Sequence, residues 1–198
     1  MSDMIYREVF EKPQGKLICI DRDGVINVDL WRYVEHWDEF EFVPRVLKAF
    51  RLLREAGYVP IIISNQAGIG DGKYTAEALA YITQQMRRSI VDNGGALAAT
   101  YFCMHGKQAG CSCRKPEIGL FVEMEKDFEY LRIDKSDVFY IGDKASDIIA
   151  GIRYGIKTCM VKTGYGEKEL SLLPAGRQPT FVALDLCEAV EKIIAGVF

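Results

Sequence analysis

The chain has 198 residues, 49% of them hydrophobic and 27% charged, with 25 basic and 28 acidic side chains for a net charge of -3. That length suits one domain around one core, spanning 1–198, and is too short for two domains with a long linker. The near balance of charge excludes a broad electrostatic footprint for nucleic acid or an anionic membrane, so any phosphate-bearing ligand must be gripped by a local site.

In chain order, the opening MSDMIYREVF lacks a basic segment followed by an apolar core, and later apolar stretches are far below spanning length. A cytoplasmic location is therefore expected, where six cysteines argue for metal binding by clustered thiols rather than a disulfide scaffold. Lys16 to Ile20 and Val59 to Ile63 read as buried parallel strands. Between them Pro44 opens a helical pattern with Val46, Leu47, Phe50 and Leu53 on one face, closed by Gly57. Thr75 caps a helix running to about Asp92, and Ala99 to Phe102 forms a further strand leading into a cysteine loop. Ile118 to Leu131 reads as a helix, Val138 to Ile141 as a strand, and Ser146 to Tyr154 as a helix stopped by Gly155. Strands near Thr158 and Phe181 and a helix from about Asp185 complete the alternation. The expected fold is α/β, a doubly wound, Rossmann-like parallel sheet with its ligand site beyond the strand C-termini.

Chemistry-bearing residues gather at those strand ends. In "DRDGVIN", Asp21 and Asp23 flank a single residue, with Gly24 permitting a sharp turn; two carboxylates this close repel unless a cation or different protonation states reconcile them. "IGDKASDI" adds Asp143, Lys144 and Asp147, and converging acids suit a hard cation with oxygen ligands, Mg²⁺ being the expected ion. "SNQAGIG" offers the Ser64 hydroxyl and the Asn65 amide as donors to phosphate oxygens. "CRKP" supplies Arg114, able to grip a phosphate at two points, and Lys115, a compact cation. Alone, each motif is also an ordinary turn, helix cap or solvated basic pair; together they make those readings weak.

The four segments in this order, over residues 17–150, resemble the phosphatases of the haloacid dehalogenase superfamily. The cysteine-histidine loop directly before "CRKP" is similar to that of the branch holding the D-glycero-D-manno-heptose 1,7-bisphosphate and histidinol-phosphate phosphatases. This resemblance implies attack by Asp21 on phosphorus to give an aspartyl phosphate. Asp23 then protonates the leaving alkoxide and later deprotonates the water, so that Asp21 starts ionised and Asp23 protonated. It implies Mg²⁺ on the Asp21 and Asp143 carboxylates and the Asp23 carbonyl oxygen, with Lys115, Ser64 and Asn65 around the phosphate. Asp147 orients Lys115 or a metal-bound water, or is a plain helix-surface acid, and Lys144 is a further candidate behind the metal.

Cys103-x-His105 and Cys111-x-Cys113, separated by five residues, suit a closed tetrahedral Zn²⁺ site within a small loop at 103–113. The Cys-x-Cys spacing lacks the Cys-x-x-Cys step of a redox pair. Cys19, Cys159 and Cys187 sit in apolar contexts and are expected in the core. The loop is shorter than is usual in the heptose-phosphatase branch, and Met104 stands where that branch has proline. Residues 27–42, with Trp31, Tyr33, His36 and Trp37, are too few for a large cap domain and predict a small flap over the site, whose aromatics either touch substrate or, more commonly, pack against the domain edge, His36 being an ordinary loop histidine.

The leading expectation is a phosphoric monoester hydrolase acting on the 7-phosphate of heptose 1,7-bisphosphate, a precursor reaction of lipopolysaccharide carbohydrate metabolism, with histidinol phosphate as the alternative substrate. A phosphate-accepting receiver module shares the acidic cluster, hydroxyl and lysine, but Asp23 would discharge its aspartyl phosphate quickly. A nucleic-acid 3′-phosphatase is disfavoured by the absence of a basic stripe. The implied partner is a small phosphorylated molecule, without nucleic acid or membrane; the oligomeric state is left open, a monomer being compatible with the sequence.

Overall fold

The computed structural model describes residues 16–198; the opening stretch Met1–Phe10 lies outside the described residues. Six parallel strands, β1 (Leu17–Ile20), β2 (Val59–Asn65), β3 (Ala99–Cys103), β4 (Phe139–Gly142), β5 (Lys157–Val161) and β6 (Phe181–Ala183), form one sheet in the order β3-β2-β1-β4-β5-β6. The helices are α1 (Val46–Glu55), α2 (Ala76–Asp92), α3 (Gly119–Asp127), α4 (Ala145–Tyr154) and α5 (Leu186–Ala195), with short turns at Ala67–Gly70 and Gly166–Leu170. Among the described residues no helix is long and apolar enough to cross a membrane.

Alternation along β1 divides the core. Ile18 and Ile20 face a layer with Phe50 and Leu53 of α1, Met86 and Ile90 of α2, and Val190 and Ile193 of α5. Leu17 and Cys19 face the other layer, with Phe121 and Met124 of α3 and Ala150 and Tyr154 of α4. A period of two in the strand therefore feeds helices on both faces, and each large side chain so buried contributes about 1.5–3 kcal/mol. Cys159 and Cys187 lie in the first layer, so the three isolated cysteines are core residues.

The expected elements form with shifted ends. Thr75 does cap α2, its Oγ1 accepting from the Ala78 N–H at 3.2 Å. Pro44 does not begin α1, because Arg45 takes a left-handed φ of 68° and the helix opens at Val46. The helix expected through Leu131 stops at Asp127 and continues as a 3₁₀ turn, Glu129–Leu131, that ends on Arg132 at φ 48°.

Because β1 sits between β2 and β4, the chain's winding reverses beside β1, and the C-terminal ends of these strands open a crevice at that point. The Asp21 N–H donates to the Ile141 carbonyl at 2.9 Å, which carries the β1–β4 pairing right up to the crevice. The segment after β1 leaves and returns through an antiparallel bridge, Asn27 to Phe42, so residues between them make a short flap rather than a cap domain.

Candidate active site

Asp21, directly after β1, is buried, and its Oδ1 lies 2.9 Å from Lys115 Nζ. Lys115 Nζ also lies 2.7 Å from Asp147 Oδ1 and donates to the Ile63 carbonyl at 3.0 Å and to the Tyr140 hydroxyl. Both side chains of the Lys115–Asp147 pair are about 1% exposed. Asp147 is therefore no helix-surface acid: it enters from the first turn of α4 and orients the lysine. Burial alone would lower the Lys115 pKa, but the Asp147 and Asp21 charges raise it above its usual value, so the ammonium persists. Burial pushes the Tyr140 hydroxyl well above its ordinary value, aided by the Asp147 and Asp21 charges, so it stays neutral.

Asn65 lines the crevice, and its amide is bonded to the backbone of Lys115. Its Oδ1 accepts from the Lys115 N–H at 3.0 Å and its Nδ2 donates to the Lys115 carbonyl at 3.1 Å. Both ends of the side chain are thus used in holding the Lys115 backbone. Ser64 Oγ lines the crevice, accepts from Gln66 Nε2 at 3.1 Å, and keeps its own O–H to donate.

Asp23 is held by hydrogen bonds from its neighbours. Arg22 Nη2 approaches Asp23 Oδ1 at 2.7 Å and Oδ2 at 2.9 Å, and Gln66 Nε2 and Asn27 Nδ2 donate at 2.8 and 3.1 Å. Burial would raise its pKa, but Arg22 outweighs this with help from Gln66 and Lys144, and the carboxyl is held below the usual range. In this arrangement Arg22 favours the ionised form of Asp23, whereas the general-acid role starts from the protonated form. Gln66 and Arg22 lay unassigned inside quoted motifs, and Tyr140 was invisible because it reads as one more apolar strand position.

Asp143 is fully buried with no hydrogen bond to Oδ1, while Oδ2 accepts from the Tyr165 N–H at 2.9 Å. Burial, reinforced by the Asp147 and Asp21 charges, pushes its pKa well above the ordinary value despite nearby Lys144. Carboxylate oxygens of Asp21, Asp143 and Asp147 lie within 4.8 Å of one another. Three crowded acids and an oxygen without a hydrogen bond fit a divalent cation, which would offset the repulsion that favours protonation. Gly24 is needed here: at φ 86°, a Cβ on it would sit 2.2 Å from Asp143 Oδ2. Lys144 Nζ lies 3.2 Å from Asp29 Oδ2 and 3.9 Å from Asp143 Oδ1, on the crevice wall.

Cys103, at the end of β3, His105, Cys111 and Cys113 converge. Cys103 Sγ is 3.3 Å from Cys113 Sγ and 3.6 Å from Cys111 Sγ, and His105 Nδ1 is 3.2 Å from Cys113 Sγ. Ligands at zinc bond lengths of about 2.0–2.3 Å in a tetrahedron lie roughly 3.5–3.8 Å apart, so the cluster fits a four-ligand metal site. The loop packs so tightly on the Ala67–Gly70 turn that a Cβ at Gly70 would fall 2.1 Å from the Gly106 nitrogen.

Asp21, Asp23, Ser64, Arg114, Lys115 and Asp147 share a cavity of ≈ 400 Å³. Trp31 and Tyr33 from the flap also line it, whereas Trp37 stacks on Phe40 at 5.0 Å and His36 is an exposed turn residue. Lys107 of the cysteine loop reaches the same cavity without having been singled out in the sequence.

A parallel sheet that gathers aspartates, a hydroxyl and a buried lysine at one reversal of its winding has the architecture of haloacid dehalogenase-like phosphatases, and the chain is of that class. The Polynucleotide kinase 3 phosphatase family model matches residues 18–169. The D-glycero-β-D-manno-heptose-1,7-bisphosphate 7-phosphatase of Bordetella bronchiseptica is 33% identical over 181 residues, 90% of this chain and 98% of the relative. That of Pasteurella multocida is 35% identical, over 92% of this chain and 98% of the relative. The crystal structure of the B. bronchiseptica D,D-heptose 1,7-bisphosphate phosphatase complexed with magnesium and phosphate aligns with a TM-score of 0.85, covering 92% of this chain and 99% of that one. The chain belongs to this phosphatase family, alongside the heptose bisphosphate 7-phosphatases.

Proposed function

We propose that the chain hydrolyses the 7-phosphate of D-glycero-D-manno-heptose 1,7-bisphosphate through a covalent intermediate on Asp21. The observation that carries this reading is the pairing of Asp21 with the doubly anchored Lys115, in a chain that matches heptose bisphosphate phosphatases almost end to end. An Asp21 oxygen forms a bond to phosphorus as the sugar C–O–P linkage breaks at the P–O bond, and the leaving oxygen takes the proton of Asp23. Water then attacks phosphorus, gives a proton to Asp23, and releases phosphate from Asp21. Arg22 favours the ionised Asp23 that the second step needs; the negative charge of an arriving phosphate raises its proton affinity for the first. Lys115 neutralises the phosphoryl charge, and Ser64 donates to a phosphoryl oxygen.

Asp21, Asp143 and the Asp23 carbonyl oxygen would hold Mg²⁺, with Lys144 and Asp147 behind them. The bound ion supplies charge neutralisation that lets an anionic nucleophile approach an anionic ester. Cys103, His105, Cys111 and Cys113 would hold Zn²⁺ as a closed structural site that braces Arg114 and Lys115. Residues 1–198 are read as one domain, a reading supported by the one sheet that runs through the described residues. Six unpaired cysteines support a reducing, cytoplasmic setting.

A phosphate-release assay over heptose 1,7-bisphosphate, sugar monophosphates, histidinol phosphate and a 3′-phosphorylated oligonucleotide tests the assignment. The bisphosphate should have the highest kcat/KM. Preference for histidinol phosphate or the oligonucleotide overturns the substrate reading.

A further inference from the structure

Trp31 is 68% exposed and yet lines the catalytic cavity. Its φ of 61° is left-handed, a genuine outlier for so bulky a side chain. The conformation is held from three sides. The Trp31 N–H donates to Asp29 Oδ1 at 2.8 Å, the indole meets the Tyr165 ring edge-on with centroids 4.5 Å apart, and Asp29 Oδ2 accepts from Lys144 Nζ at 3.2 Å. Tyr165 is itself fastened, its N–H on Asp143 Oδ2 and its ring 4.8 Å from Lys144 Nζ.

Trp37, on the same flap, shows the alternative. It stacks on Phe40 and joins the core, gaining burial in an unstrained place. Trp31 accepts backbone strain and forgoes most of that burial, and strain persists only where the surroundings over-determine it, commonly at a ligand clamp. The cavity's charged groups suit phosphates; the indole is a broad apolar face beside them.

We propose that Trp31, backed by Tyr165, is a specificity-determining residue that packs its indole against the C–H face of the substrate's polyol chain. The proposal rests on the sugar-phosphate reading above. The indole faces the part of the substrate between or beyond its phosphates, so it selects for an extended carbon chain and is indifferent to the phosphoryl group itself.

The test compares wild type, Trp31→Ala and Trp31→Phe on heptose 1,7-bisphosphate and on acetyl phosphate, which has no polyol chain. Trp31→Ala should raise KM for the bisphosphate about tenfold with little change in kcat, leave acetyl phosphate kinetics unchanged, and be largely rescued by Trp31→Phe. Wild-type tryptophan fluorescence should respond to the sugar monophosphate product but not to inorganic phosphate, and the response should vanish in Trp31→Phe. Equal losses on both substrates would make Trp31 a mere support of the flap, and no loss on either would remove it from the site; each overturns the proposal. If the wild type refuses the bisphosphate but hydrolyses another polyol phosphate, the substrate reading falls while the same comparison on that ester decides the role of Trp31. If it hydrolyses acetyl phosphate alone, both fall.

Discussion

Asp147 holds Lys115 at 2.7 Å, sealed from solvent, while Lys115 reaches Asp21 at 2.9 Å on its other side. The lysine is thus fixed by a residue of α4 before substrate arrives, which spares reorganisation at the moment of reaction. Replacing Asp147 with Asn removes the charge but keeps the shape. We expect kcat to fall by roughly 10²-fold and stability by about 2 kcal/mol, the scale of a lost charge-assisted contact. Urea denaturation with steady-state kinetics checks both; unchanged kcat would mean that Asp21 alone positions the lysine.

Asp21→Asn should abolish turnover and leave the fold intact, since the amide is nearly isosteric but a poor nucleophile. Phosphate release and circular dichroism give the two readouts. Substantial residual activity would take the nucleophile away from Asp21.

The Arg22 guanidinium on Asp23, which favours its ionised form, shapes the expectation for Asp23→Asn. With a good leaving group, phosphorylation of Asp21 should proceed while water attack slows by roughly 10²–10⁴-fold. Acid quenching should then reveal phosphoenzyme approaching one equivalent. A variant that is inactive without accumulating phosphoenzyme would place the role of Asp23 in the first step only.

The side chain of Asn65 bonds both backbone groups of Lys115, so Asn65→Ala should cost about 2 kcal/mol for two lost hydrogen bonds and lower kcat through a displaced lysine. If kcat/KM falls with no change in stability, Asn65 touches substrate instead.

Cys111→Ser should reduce bound zinc to near zero and lower Tm by roughly 4–8 °C, taking about 2 kcal/mol for the lost bracing. Metal analysis and thermal melts decide this. Protein that is purified without zinc and melts unchanged after chelation would rule out a structural metal.

Much of the site was legible in the sequence because local patterns carry it. Apolar runs ending in Asp21, Ser64 and Asp143 declare parallel strands with polar C-termini, and two close pairs of thiol and imidazole groups mark a loop able to hold a metal. Turn, cap and strand periodicity depend on near neighbours, so order and placement follow from one dimension. Pairing does not. Asn65 meets Lys115 across 50 positions and Gln66 meets Asp23 across 43, so only packing could decide that Asn65 serves a backbone and that Gln66 joins the site. The same holds for Asp23, whose charge is set by how the Arg22 guanidinium folds back onto it, and for the two flap tryptophans. The sequence by itself determined which groups stand at the strand ends; the tertiary structure decided their partners, because ionisation and donor capacity depend on which side chains burial brings within about 3 Å.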